Sequence, residues 1–537
     1  MAGVQGGRLG RLTGTAVRSG ARELLEGKTL PSAAVASLAN QGATFGALTL
    51  AGAGGFKPVD ASGNTVALTS YNSLVSGVLG SYTPSILNGG LRFTGAAGAP
   101  NGVVLRCGYA GGTVDITVTT AANTYSVSTA AELDSAVSSM GSAGGKTISL
   151  RRGVYSGTLF WANNLNFTAA PTFVGEGLPF VQKGAQVNGS LVIANQQNAI
   201  WTNLEIWTPT GGSSVLQMTG GCANIVVDTC YIHGKYHDPM VDQTVGYANG
   251  IAGIEFNDIP GLTIRKCLIE HVDNGILFNI TGDCLIEDNE IRFFRSDGIH
   301  LGLNAAAKTS NKIFRRNVIY GTMYLDGAHS DGIQIVATGT LDADQYTNLT
   351  LEQNVIFNST AISIGLMQGI VSFTDGTTFG VNFVNPTVRG NIILGMHLHG
   401  ISFNNMDGGS FVNNVIVHTD TTIDTVNTTA LNIGGGGRAI GTITVDKNVF
   451  EGASLMGTAT YATPTGNVTI GAAGVTIPLS TVFNDPTPAT PKTGYADVLV
   501  KRTAKAGGPA ATIGAGALGV GFGTYGSPRT PAGWSIP

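Results

Sequence analysis

With 537 residues, 12% charged side chains and a formal net charge of −4, the chain has no field that would draw in nucleic acid or anionic lipid. Glycine fills 78 positions, which suits stacked strands joined by many turns. No stretch approaches the roughly 18 apolar residues needed to cross a bilayer, so membrane insertion is not expected either.

Residues 1–30 form a basic arm carrying Arg8, Arg11, Arg18, Arg22 and Lys28. The arm lacks a secretory apolar run, so the expectation is a product assembled in the cytoplasm without a secretory signal. Residues 31–125 are rich in Gly, Ala, Thr and Ser, with strand-like pieces at 102–106 and 113–119, and read as a small β-rich domain. At 126 the chain changes character. Ser128-Thr129-Ala-Ala-Glu132 has the capping-box pattern, and Leu133, Ala136, Val137 and Met140 follow on one helical face. Gly144-Gly145 ends that helix, and the strand Lys146-Thr-Ile-Ser-Leu150 follows. A short helix here would cover the open apolar end of a strand stack.

Two signatures then alternate along residues 126–460. The first is a polar residue followed by Gly-Ile, at Asn249, Asn274, Asp297, Asp331 and His399, with softened versions at Thr360-Ala-Ile and Thr429-Ala-Leu. The second is a Cys or Asn two residues before an aliphatic or aromatic residue. Its anchors are Cys230, Cys267, Asn289, Asn317, Asn354, Asn391, Asn414 and Asn448, preceded by Leu204. The shortest interval, Cys267 to Asn289, approximates a bare coil; longer intervals carry insertions. Each coil shows three short strands and no helical periodicity, which excludes βαβ units and a leucine-rich horseshoe. The pattern predicts an all-β chain: a single-stranded parallel β-helix with a small N-terminal β-domain and a short capping helix, and the resemblance given below implies that it is right-handed. Like positions would stack about 4.8 Å apart. The Asn column fits a bend that requires left-handed backbone, with side chains bonding along the column. From 461 to 537 the repeat fades into a Gly/Ala/Pro/Thr-rich cap or tail. The five cysteines are expected to be reduced thiols packed as small apolar residues.

The helix-then-strand entry and the Asn-x-Ile coils resemble the pectin-lyase-like superfamily of right-handed parallel β-helices. The N-terminal β-domain, the absent secretory signal and the low charge look most like a bacteriophage tailspike. That resemblance implies a homotrimer on the virion that binds a bacterial surface polysaccharide, with depolymerisation of that polysaccharide as the further expectation. It also implies that the N-terminal region docks to other virion tail proteins. A non-catalytic virion fibre and an extracellular pectinase-like hydrolase or lyase are the alternatives. Ser330-Asp331-Gly-Ile and His399-Gly-Ile-Ser402 are similar to two polygalacturonase motifs. The paired-Asp motif of that family has no counterpart in the coil read as Thr360-Ala-Ile.

Cleaving a glycosidic bond needs groups that give and take protons beside one linkage. Asp297 and Asp331 fall on consecutive coils, and His300 and His329 lie next to them, so these four are the candidate catalytic residues. Asp273, Asn274, Tyr324 and His399 are candidate substrate contacts. The glycine after each polar residue would let a sugar approach the backbone. Turn chemistry alone would also generate the column, because Asp and Asn before Gly are ordinary turn residues. His397 and His399 lack the further ligands that a metal site needs, and no cofactor is expected.

Overall fold

The computed structural model describes residues 34–39, 45–50, 56–60, 66–79, 83–87, 89–94, 103–120, 124–127, 129–150, 153–156, 159–161, 165–175, 185–208, 214–235, 252–280, 282–303, 309–322, 330–337, 345–357, 366–373, 382–395, 397, 399–418, 429–434, 439–455, 459–471, 481 and 505–509. The chain divides into two compact units. One holds residues 1–127 and 147–151, the other residues 128–146 and 152–537.

The smaller unit contains two four-stranded sheets. Val103–Tyr109 and Gly112–Thr120 form an antiparallel hairpin, matching the strand-like pieces of the sequence. Leu68, Leu91, Val103, Leu105, Cys107, Val114 and Ile116 make its apolar core. Residues 1–30, the basic arm, lie outside the described residues.

The larger unit opens with a helix over Ala130–Met140. Thr129 caps it by accepting the Glu132 N–H at 3.1 Å, and Leu133, Ala136, Val137 and Met140 are buried as the pattern required. Gly144 and Gly145 turn the chain out at φ +62° and +66°. The stub then bonds to the first coil, where Gly145 N–H donates to Ala169 O and Thr168 N–H to Ser142 O.

Beyond this, the chain passes repeatedly through three parallel sheets. Sheet one has eleven strands, from Leu159–Trp161 to Gly452–Leu455. Sheet two runs from Thr172–Gly175 to Thr460–Tyr461. Sheet three has twelve strands, from Gly153–Ser156 to Val468–Thr469, so pairing continues past residue 460. One coil reads Ile254–Asn257, Leu262–Arg265, Leu268–Val272, one strand in each sheet. All five cysteines are buried and free of disulfides.

Two stacks fix the register. On sheet three Ile206, Ile232, Ile269, Ile291, Ile319, Ile356, Ile393 and Ile416 are in-line partners, buried to the last atom. Between sheets two and three runs the Asn ladder. Asn317 donates its backbone N–H and one amide N–H to Asn354 Oδ1, at 3.1 and 3.0 Å, and its other amide N–H to Ile286 O. The same three bonds repeat from Asn289 through Asn448, which donates to Asn467. Every polar atom of the buried side chain is thereby used. The ladder differs from expectation in one respect: the left-handed φ falls one residue earlier, at Lys266, Asp288, Arg316, Gln353, Asn413 and Lys447. The bend precedes the anchor, so the anchor itself keeps ordinary backbone and aims its amide along the stack.

Candidate functional site

The polar-Gly-Ile triplets form the turn from sheet three into sheet one. Their Ile residues stack as Ile254, Ile276, Ile299, Ile333, Ile370 and Ile401. This register corrects the sequence reading on two coils. The aligned triplets are Ala252-Gly253-Ile254 and Gln368-Gly369-Ile370; Asn249-Gly-Ile and Thr360-Ala-Ile lie outside the described residues. The coil after Asp331 therefore presents Gln368, still not a carboxylate pair. The glycines are also explained differently. A Cβ on Gly253 would sit 2.6 Å from both Gly275 O and Ile269 Cγ2, and one on Gly332 would sit 2.5 Å from Ile356 Cγ2. The space that a sugar was expected to use is filled by the next coil and by the Ile of the Asn-x-Ile motif. The two sequence signatures thus touch.

Along this turn the polar side chains bond from coil to coil. Asn274 Oδ1 accepts the Asp297 N–H at 3.2 Å, and Asp297 Oδ1 accepts the Asp331 N–H at 3.0 Å. In three of these coils the triplet residue also bonds the side chain three positions on. Asp297 Oδ2 lies 2.8 Å from His300 Nδ1, and Asp331 Oδ2 accepts Gln334 Nε2–H at 2.7 Å. His399 Nδ1 lies 2.7 Å from Ser402 Oγ. Asp297 and Asp331 are 4% and 0% exposed, whereas the His300 side chain is 29% exposed.

Because Asp297 Oδ2 accepts, the bonded His300 nitrogen carries the proton, and in the neutral ring Nε2 is the nitrogen with a lone pair for a substrate. Asp273 lies one coil earlier, 3.8 Å from Arg295 Nε. Burial, together with the charge of Asp297, pushes the Asp273 carboxyl above its ordinary pKa despite Arg295. Its backbone carbonyl takes the N–H groups of Arg295 and Ser296 at 3.1 and 2.7 Å, which fixes the turn. Asp273, Asn274, Asp297, His300 and Asp331 are thus one connected group. His399 shares the column but sits further along it. His329 and Tyr324 lie outside the described residues.

Sequence reasoning missed Arg295 and Gln334. The signal for Gln334 was present, since it follows Gly-Ile in the triplet; Arg295 could only be found by placing it against the preceding coil. A second polar group was also missed, on the outer side of sheet three. Tyr231 donates to Glu270 at 2.6 Å, and Arg292 bridges Glu270 and Glu290 at 2.5 and 3.0 Å. Tyr320 donates to Glu290 at 2.6 Å. All five residues are buried.

Residues 183–340 match the family model described as the right handed beta helix region. The coiled body is a right-handed parallel β-helix. No curated protein matches the sequence. Among solved structures, the β-helix is similar to the A-module of Azotobacter vinelandii mannuronan C-5 epimerase AlgE6, at 14% identity and a TM-score of 0.33 over 63% of this chain and 94% of that one. A variant tailspike protein of E. coli bacteriophage HK620, in complex with a pentasaccharide, is similar at 11% identity and a TM-score of 0.28, covering 62% and 75%. The catalytic domain of a GH87 alpha-1,3-glucanase in complex with nigerose is similar at 12% and 0.28, covering 81% and 86%.

Proposed function

We propose that the outer face of sheet one binds a polysaccharide and cleaves it by proton transfer, with His300 as base and Asp273 as acid. The observation that carries this is the 2.8 Å Asp297–His300 pair with Asp273 and Arg295 beside it. Asp297 holds the imidazole in the tautomer that leaves Nε2 basic. Nε2 takes a proton from an attacking water while Asp273, inclined by burial to keep its proton, gives it to the leaving oxygen. Arg295 offers N–H groups to sugar oxygens or to an anionic substituent. In this reading Asp331 does not touch the sugar; fully buried, it holds Gln334 and the turn.

The wider setting that we propose is a phage tailspike: a virion tail protein, trimeric, acting on a bacterial surface polysaccharide and docking to other tail proteins through the unit that precedes the coils. Incubation of the purified chain with capsule or O-antigen polysaccharide is the test. New reducing ends mark hydrolysis, and unsaturated ends mark elimination. His300→Gln and Asp273→Asn are each expected to slow cleavage roughly 10²–10⁴-fold. Wild-type rates in both variants, or no product at all, would sink the catalytic reading.

A second reading, a non-catalytic receptor-binding fibre, is favoured by one fact. Both Asp297 and Asp331 side chains are spent on backbone and neighbouring side-chain bonds that a turn ladder alone requires. It predicts polysaccharide binding without any products, unchanged by either substitution. Size measurement in solution tests the trimer under both readings.

A further inference from the structure

Three coils along the same outward column from His300, through Gln334 and Val371, stands Ser402. Its Oγ lies 2.7 Å from His399 Nδ1, and Asn432 Nδ2 of the next coil lies 3.3 Å from that Oγ and 3.4 Å from the same imidazole nitrogen. Donor chemistry sets the direction of these bonds. An amide nitrogen only donates, and Asn432 Nδ2 faces His399 Nδ1 as well as the Ser402 oxygen, so Nδ1 is the acceptor and the Ser402 proton is turned to it. Nδ1 is then the unprotonated nitrogen. That is the reverse of His300, whose Nδ1 donates to Asp297. One face therefore carries two imidazoles of opposite polarity, one holding a carboxylate and one holding a hydroxyl.

We propose that Ser402 and His399 form an acyl-transfer site that removes small acyl esters, acetyl above all, from sugar hydroxyls. A hydroxyl whose proton is directed at a neutral imidazole is the arrangement of an activated nucleophile. The residue is only 2% exposed, so a compact acyl group is the substrate that can reach it. Ser402 Oγ bonds to the ester carbonyl carbon as its proton passes to His399 Nδ1. The carbon–oxygen bond to the sugar then breaks, and the leaving oxygen takes the proton from Nδ1. Water, deprotonated by the same nitrogen, hydrolyses the acyl-Ser402 bond and releases the carboxylic acid. The Asn432 amide beside Oγ donates to the carbonyl oxygen as negative charge builds there. Sugar as the alcohol rests on the polysaccharide reading above; the acyl chemistry does not.

The test uses the full chain with p-nitrophenyl acetate and with glucose pentaacetate, neither of which needs a polysaccharide groove, and with methanesulfonyl fluoride as a small trapping reagent. Hydrolysis of both esters is expected, together with one sulfonyl adduct that peptide mapping places on Ser402. Ser402→Ala removes a single oxygen from a strand. It should keep the thermal unfolding midpoint while lowering hydrolysis roughly a hundredfold or more. Asn432→Ala should lower it less. A p-nitrophenyl ester of a long-chain acid should be a poor substrate. Equal hydrolysis by Ser402→Ala and wild type, or an adduct elsewhere, overturns the site. Activity on p-nitrophenyl acetate without activity on the sugar ester overturns the substrate class. The ester assays need no glycosidic cleavage and the reducing-end assay needs no acyl group, so failure of the cleavage reading and failure of this one are read separately.

Discussion

Gly332 shows what the most visible letter of the repeat does. A methyl group there would meet Ile356 Cγ2 at 2.5 Å and Gly369 O at 3.0 Å. Overpacking of this kind costs about 1–3 kcal/mol, so Gly332→Ala should lower stability to urea by that amount. Moving the branch away with Ile356→Leu should recover part of the loss. In a double-mutant cycle the pair is expected to couple by at least about 0.5 kcal/mol, and strict additivity would refute the contact. The Asn ladder makes a different demand, for an acceptor and two donors on one short side chain. Asn354→Ala would leave the Asn317 N–H and amide N–H buried without their acceptor, at a cost of about 3 kcal/mol. A loss below about 1 kcal/mol would show that the ladder is decoration on a core that holds without it.

At the scale of the strand, the outer side of sheet two carries a charge ladder. In-line partners on successive coils read Asp228, Arg265, Glu287, Arg315, Glu352, Arg389. Ion pairs close at 2.9 Å for Arg265–Asp228 and 2.8 Å for Arg315–Glu287, and a looser 3.9 Å contact links Arg315 to Glu352. An isolated pair tolerates exchange of its two charges, but an alternating ladder does not. The double substitution E287R/R315E would set the new arginine beside Arg265 and the new glutamate beside Glu352. It is therefore expected to be no more stable than R315E alone at low salt, with the deficit shrinking in molar salt. Restoration of wild-type stability by the exchange would show that the pairs act singly. This ladder was legible, since each member stands two residues before an anchor of the Asn-x-Ile motif. The coil architecture was legible for the same reason: stacking repeats one chemical demand at every coil. Of the two realigned triplets, Gln368-Gly-Ile was legible, since it fits the signature better than Thr360-Ala-Ile does. The other was not: a definition requiring a polar first residue rejects Ala252, which occupies the position because its neighbours' backbones, not its side chain, make the turn. At the site, Asp297 with His300 could be read within one coil. The approach of Arg295 to Asp273 could not, because it joins two coils and emerges only once Val272 is set against Phe294 of the next strand.

For the molecule as a whole, two carboxyls of one coil, Glu270 buried in its strand and Asp273 half-buried in the turn that follows, pull stability in opposite directions with pH. Burial alone would raise the pKa of Glu270, but the charges of Arg292 and His271 and the hydrogen bonds from Tyr231 and Arg292 outweigh it, and the group ends below its ordinary value. Its folded state thus favours the ionised form. The resulting stability is present above the unfolded pKa of about 4.3 and is lost as pH falls through the folded value. Asp273 is raised, so its ionised form is disfavoured in the folded state; that penalty is full above the folded pKa and vanishes below the unfolded value of about 3.9. Glu270→Gln should therefore unfold more easily than wild type at pH 7, and Asp273→Asn less easily. The two differences should shrink towards zero as unfolding is followed down to pH 3. A gain in stability from Asp273→Asn combined with lost cleavage would mark Asp273 as a group held in an unfavourable state for its chemistry. A stabilised variant that still cleaves at the wild-type rate would instead make the half-buried carboxyl a cost of the turn alone.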